Sequence, residues 1–148
     1  MGFFALSKKS RKAQIWIGFQ KKGLEPEILL FKVLDARGGG WHPVTGGVED
    51  DESFLEGAQR EVLEETGIKP TKGEWVDLKF SYFFEGKWGH AEEHVFGYIL
   101  HKKREDPEID PSEHVVFEWV SVAEAYRRIG HDPQRDALKR FSCYLEAK

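Results

Sequence analysis

Between Gly46 and Ile68 the sequence reads GGVEDDESFLEGAQREVLEETGI, and its acids gather around a single base, Arg60. Glu61, Glu64 and Glu65 fall at i, i+3 and i+4, which on a helix is one face. Like charges at that spacing repel by about 0.2–0.5 kcal/mol per pair. Glu64 and Glu65 also fall in the last turn, where the helix dipole disfavours anions. Helix energetics alone therefore oppose the arrangement. One account is a solvated acidic face, softened by an Arg60–Glu64 pair. The other is a divalent cation, because Mg²⁺ takes carboxylate oxygens and keeps positions for substrate phosphates. Three clustered carboxylates, with Glu52 nearby, supply such a set.

These residues need elements to position them. The helix is predicted over Ser53–Thr66. Asp50, Asp51 or Ser53 caps its start, and Gly67 closes it in the left-handed conformation. Phe54, Ala58, Val62 and, less squarely, Leu55 form the stripe that packs inward. Ahead of it, Ala13–Phe19 and Glu27–Leu34 read as strands, the second apolar enough to be buried on both faces. Lys21–Pro26 is a turn, Asp35–Gly40 a glycine loop and Trp41–Val44 a short extended piece. Trp75–Phe84, Glu93–Leu100 and Val115–Val120 are predicted strands. The segment EGKWGHAE between the first two of these reads as a Gly-rich turn and a candidate lid. Ser121 and Glu124 form a capping box for a helix to Ile129. Pro133 opens the last helix at its first position. The order β–β–α–β–β–β–α–α fits an α/β or α+β sandwich with a mixed sheet.

The chain has 148 residues, 40% hydrophobic and 32% charged, which suits one ordinary globular domain with a real core. Its net charge of −4 implies no general attraction to nucleic acid or membrane. The single cysteine, Cys143, has no internal partner, which fits a reducing compartment. No apolar run approaches the roughly 20 residues that span a bilayer. The start, MGFFALSKKSRK, places its apolar patch before its charges, the reverse of a secretory signal. A cytoplasmic protein is expected.

The acidic stretch resembles the Nudix box, G-x5-E-x7-R-E-U-x-E-E-x-G-U, with U aliphatic. Gly46, Glu52, Arg60, Glu61, Val62, Glu64, Glu65, Gly67 and Ile68 fill its defined positions. The resemblance implies a Nudix-type α/β/α sandwich, with the box helix packed on the sheet. It also implies hydrolysis of nucleoside diphosphates linked to a further moiety. Glu61, Glu64 and Glu65 would hold Mg²⁺, or alternatively Mn²⁺, together with a backbone carbonyl near Gly46. Glu52 would pair with Arg60, and Arg60 would orient carboxylates. The base is either Glu61 or a loop glutamate outside the box. Glu113, just before a strand, is the best loop candidate and a further metal ligand, with Glu92 and Glu93 weaker. His90 and His114 read as ordinary polar residues, since Mg²⁺ prefers oxygen.

The lead-in Trp41, Val44, Thr45, Gly46 and the pair Glu113-His114 resemble the dihydroneopterin triphosphate pyrophosphatase or dATP pyrophosphohydrolase subgroup. That likeness implies release of pyrophosphate from a pterin or nucleoside triphosphate. Trp41 is a candidate to stack on the ring, or else a core residue. Lys32, Arg37 and Tyr82 are candidates to face the substrate, with Lys87 and Trp88 on the candidate lid. Lys8, Lys9, Arg11 and Lys12 read first as a solvated end. The alternatives are a dinucleoside polyphosphate or nucleotide-sugar hydrolase, and a Nudix module that senses a nucleotide without cleaving it. ADP-ribose is disfavoured, because no proline occurs between Pro70 and Pro107. Phe141, Tyr144 and Leu145 fit cover over the sheet or over a partner, such as a second copy in a homodimer.

Overall fold

A computed structural model describes residues 10–86 and 89–146. Its strands are β1 (Ser10–Phe19), β2 (Glu27–Val33), β3 (Trp41–His42), β4 (Val44–Val48), β5 (Glu74–Gly86), β6 (Gly89–Leu100) and β7 (His114–Ser121). Its helices are α1 (Phe54–Thr66), α2 (Val122–Arg128) and α3 (Asp132–Glu146). The strands form one mixed sheet.

β1 is central. It runs parallel to β6 from Ser10↔Ala91 to Phe19↔Leu100. On its other edge, β4 pairs antiparallel with the first half and β2 with the second half. β7 and β3 pair with β2, and β5 pairs with β6. Successive residues of a strand face opposite sides. In β1, Ala13, Ile15, Ile17 and Phe19 therefore join the core beneath α1, while Trp16 joins the core beneath α2 and α3. Both faces are covered from Ala13 onward, which is why that part of the strand is apolar but for Gln14.

The box helix is fixed at both ends by local chemistry. Ser53 Oγ accepts the Glu56 N–H at 3.0 Å, and Glu56 Oε1 accepts the Ser53 N–H at 2.8 Å. Gly67, at φ 72°, caps the other end. Ala58 and Val62 are fully buried, whereas Leu55 is exposed. A Cβ on Gly57 would come within 2.8 Å of the Val48 side chain, so only glycine lets α1 lie this close to β4.

Three expectations need correction. The segment EGKWGHAE is mostly strand: Glu85 pairs with His90 and Gly86 with Gly89. The aromatic run of β5 is in register with Ala91–Val95, and that pairing carries the ladder through the glycines. Lys87 and Trp88 lie outside the described residues, as do Lys8 and Lys9. The short extended piece expected over Trp41–Val44 is present, as β3 and the first residue of β4 with Pro43 between them. α3 begins at Asp132, which leaves Pro133 at its second position, where a missing N–H is still harmless. Ser121 does cap α2 through the Glu124 N–H, but the Glu124 carboxylate is bound by Arg127 and Arg128. Phe141 and Leu145 are buried against the sheet, and Tyr144 is exposed. Among the described residues, no helix is long and apolar enough to cross a membrane.

Candidate metal centre

Arg60 organises the acidic cluster. Its Nε and Nη2 bind both oxygens of Glu52 at 2.8 and 2.9 Å. Nη1 donates to Glu61 Oε1 and to Glu64 Oε2, each at 3.0 Å. Nη2 also donates to the Gly47 carbonyl at 2.8 Å. A guanidinium has about five N–H donors, so these bonds occupy all of them. Arg60 therefore orients carboxylates and ties α1 to β4, and keeps no donor for another group. This paired fork holds the Glu52 carboxyl down at about 2. The Glu49 N–H adds a bond to Glu52 at 2.9 Å.

Glu61 is 8% exposed and points at β4. Gly46 there pairs with Ala13, and a Cβ at Gly46 would lie 2.1 Å from Glu61 Cδ. The carboxyl thus occupies the space a side chain would need. Burial raises the Glu61 pKa, against the opposing pull of Arg60. One turn on, Glu65 faces Glu113, just ahead of β7. Burial first, then Glu113, pushes the Glu65 carboxyl up to about 7. Ligand atoms of Glu65, Glu113 and His114 lie within 4.8 Å of one another. Glu61 and Glu65, partly desolvated, with Glu113 and Glu61 both repelling Glu65, form an oxygen-rich set that a divalent ion would relieve. The residues present therefore fit Mg²⁺ or Mn²⁺. Glu61, Glu64, Glu65, Glu113 and the Gly46 carbonyl are its candidate ligands.

A cavity of about 220 Å³ opens beside Glu65. Phe31, Val33, Arg37, His42, Pro43, Val44, Thr45 and His114 line the rest of it. Arg37 reaches Glu113 Oε1 at 3.8 Å and the Ser112 carbonyl at 3.4 Å. The structure thus brings Arg37 together with the carboxylates. It does not bring Lys32, Trp41 or Tyr82 to this cavity. Lys32 pairs across the strands with Trp41, and Trp41 packs against the core beneath α2 and α3. The Arg128 guanidinium lies 4.8 Å from the Trp41 ring. Tyr82 is on that face too, where its hydroxyl donates to Glu93 at 2.7 Å and accepts from Gln14 at 2.8 Å. Burial, then Glu93, raises the Tyr82 pKa. Glu93 is buried in this network. Arg11 donates to the Glu49 carbonyl at 2.6 Å and so braces the loop ahead of α1.

Two residues at the cavity were not singled out as site residues by sequence. His114 has a buried Nδ1 without a hydrogen-bond partner among the described residues, and burial lowers its pKa. Its neutral imidazole can therefore offer a lone pair. Neighbours on a strand face opposite sides, which argues against Glu113 and His114 acting together. Glu113 precedes the strand, on a turn whose Asp110 carbonyl accepts the N–H groups of both residues at 2.9 Å, and a register shift between Lys32↔Val116 and Val33↔His114 breaks the alternation at His114. His42 contacts the Gly39 carbonyl at 2.8 Å and stacks on His131 at 5.6 Å. The segment WHPVTGG was the available signal for it.

Comparison with known proteins places this geometry. A NUDIX domain is matched over residues 15–141. A Myxococcus xanthus protein named octanoyltransferase is 34% identical over 125 residues, which is 80% of this chain and 33% of that protein. The chain thus spans about a third of the length of that relative. The Caenorhabditis elegans Ap4A hydrolase in a binary complex superimposes with a TM-score of 0.78 at 21% identity, covering 94% of this chain and 99% of that one. The Escherichia coli dihydroneopterin triphosphate pyrophosphohydrolase gives 0.71 at 21% identity, covering 87% and 93%. At that identity the two structures show a shared fold. With the domain matched over residues 15–141, the chain belongs to the NUDIX domain family.

Proposed function

We propose that this chain hydrolyses a phosphoric anhydride bond of a nucleoside or pterin triphosphate, leaving the monophosphate and pyrophosphate. The observation that carries the reading is Glu61 lying over Gly46, next to the Glu65–Glu113 pair. A divalent ion, when bound there, would supply neutralisation of phosphate charge and polarisation of a phosphorus–oxygen bond. Glu61, Glu64, Glu65 and the Gly46 carbonyl would hold that ion. Arg60 keeps Glu61 and Glu64 aimed. Glu113 takes the proton of the attacking water, since the Arg37 guanidinium stands off from it at 3.8 Å. Glu61 is less free for that task, because Arg60 donates to it. Arg37 and His42, at the cavity mouth, face the phosphates, and Phe31 with His114 flanks the ring.

Product identification tests this. The protein with Mg²⁺ is incubated with dihydroneopterin triphosphate, NTPs, dNTPs, diadenosine tetraphosphate, ADP-ribose and a nucleotide sugar. Pyrophosphate plus a monophosphate from one triphosphate is the expected result. Cleavage confined to the dinucleotide or sugar compounds would keep the metal chemistry and replace the substrate. No cleavage of any compound would make the chain a nucleotide-sensing module.

A further inference from the structure

A second concavity lies at the far end of β1 from the metal centre. Its volume is about 320 Å³, and Thr71, Lys72, Leu100, Lys102, Lys103 and Glu105 line it. The metal centre adjoins Ala13 through Gly46, whereas this concavity adjoins Leu100, the partner of Phe19. At a strand rise of about 3.3 Å per residue, the two are about 20 Å apart.

Both walls are anchored. On one side the Tyr98 hydroxyl donates to the Lys69 carbonyl at 2.5 Å and accepts the Lys72 N–H at 2.9 Å. The Trp75 indole donates to the Pro70 carbonyl at 2.9 Å. A Cβ at Gly73 would lie 2.3 Å from the Ile99 carbonyl oxygen, so this turn is pressed flat against β6. On the other side His101 contacts the Gln20 carbonyl at 3.3 Å and Glu74 at 3.0 Å. Arg104 pairs with Glu27 at 3.1 Å. Lys102 and Lys103 lie between these two anchors.

The charges do not balance. Lys72 is 4.0 Å from Glu105, the outer limit of an ion pair. Lys102 and Lys103 have no ion pair or hydrogen bond among the described residues. This happens in a chain of net charge −4. Cations around one concavity focus a positive potential that single surface lysines do not. Lysine serves as a point charge for phosphate, and Thr71 adds a hydroxyl donor. The volume falls at the lower end of small-molecule sites, about 300–1,000 Å³.

The geometry points to a second binding site, for the di- or triphosphate group of a small molecule, formed by Lys72, Lys102 and Lys103 with Thr71. It is separate from the metal centre and from the activity proposed above. Lysines on two facing walls favour an anion with linked phosphates over a single one.

The test is an amide correlation NMR titration of the full chain in EDTA, at constant ionic strength, with pyrophosphate and with orthophosphate. Saturable shifts are expected at Thr71, Lys72, Gly73, Lys102 and Lys103. Pyrophosphate should half-saturate at a concentration about tenfold lower than orthophosphate. Lys102→Ala/Lys103→Ala, at two exposed positions, should weaken binding about tenfold with the rest of the spectrum unchanged. Glu61→Gln should titrate like the parent. Lys72→Ala is the second variant, should the double one fold poorly. Non-saturating shifts, shifts confined to residues 46–65, equal responses to the two anions, or lysine variants that titrate like the parent would each overturn the assignment.

Discussion

A methyl group on Gly46 would place its carbon 2.1 Å from Cδ of Glu61. Glycine is therefore required here by a neighbouring carboxylate, since Gly46 does not have a positive φ. Gly46→Ala should push Glu61 aside while the fold survives. The expected result is a 10- to 100-fold weaker Mg²⁺ dependence of turnover, roughly the cost of disturbing a ligand's support. An unchanged Mg²⁺ titration curve would take Glu61 out of the ligand set.

Arg60 gives a cleaner separation of roles. Every one of its donors is used on Glu52, Glu61, Glu64 or the Gly47 carbonyl. Arg60→Ala should lower kcat and leave KM nearly unchanged, because no donor is free for substrate. It should also lower stability by roughly 1.5–3 kcal/mol, the scale of a charged hydrogen bond lost. A rise in KM with kcat intact would mean that Arg60 touches the substrate after all.

The pH dependence follows from Glu65. Its carboxyl is raised from 4.5 to about 7 by burial and by Glu113. A carboxyl raised on folding contributes stability below its unfolded value, and that contribution is lost as pH rises through the folded one. In EDTA, Tm should therefore fall as pH rises between 4.5 and about 7. Mg²⁺ binds the ionised form, so its stabilising effect should grow through the same window. Thermal melts of the parent and of Glu65→Gln check this. The variant should flatten both trends and lose most turnover, as should Glu64→Gln for turnover. Near-normal turnover of both would falsify the metal assignment.

Glu113→Gln should lower kcat by about 10²- to 10⁴-fold, the usual contribution of a general base. The bulk of the fold should be unaffected, because Glu113 is half-exposed on a turn. If Glu61→Gln alone gives that loss and Glu113→Gln does not, the base is in the box helix.

The cavity and the opposite face can be told apart by KM. Arg37→Ala and His42→Ala should raise KM, since both line the cavity beside Glu65. Trp41→Phe, Lys32→Ala and Tyr82→Phe should change it less. The reverse order would move the substrate ring to the face beneath α2 and α3.

Much of α1 was legible in the sequence because its determinants are local. Ser53 and Glu56 cap it, Gly67 ends it, and Ala58 with Val62 marks its inner face. The acid spacing is equally local. Strand registers were not legible. Whether Lys32 and Trp41 face the cavity depends on their pairing across β2 and β3, and adjacent residues on a strand face opposite ways. The EGKWGHAE segment misled for a related reason: its glycines read as a turn, but the ladder with β6 runs through them. His114 shares the Val33 position, and so joins Glu65, because the register of β7 on β2 shifts between Lys32↔Val116 and Val33↔His114, and neither residue type nor spacing announces that bulge.

The parallel pairing of β1 with β6 has a consequence for how this protein assembles. Among the described strands β1 is made first and is central, yet its longest partner arrives only after β2, β3, β4, α1 and β5 have been made. Such distant pairing carries a loop-closure cost before any contact rewards it, which places folding toward the slow, high-contact-order end of its size class. Gly46 and Glu61 are already synthesised by then, but Ala13, with which Gly46 pairs, belongs to a strand that still lacks its β6 partner. A nascent chain ending before β6 should thus carry every box residue and still bind little metal. Activity would emerge in one late step, when the sheet closes.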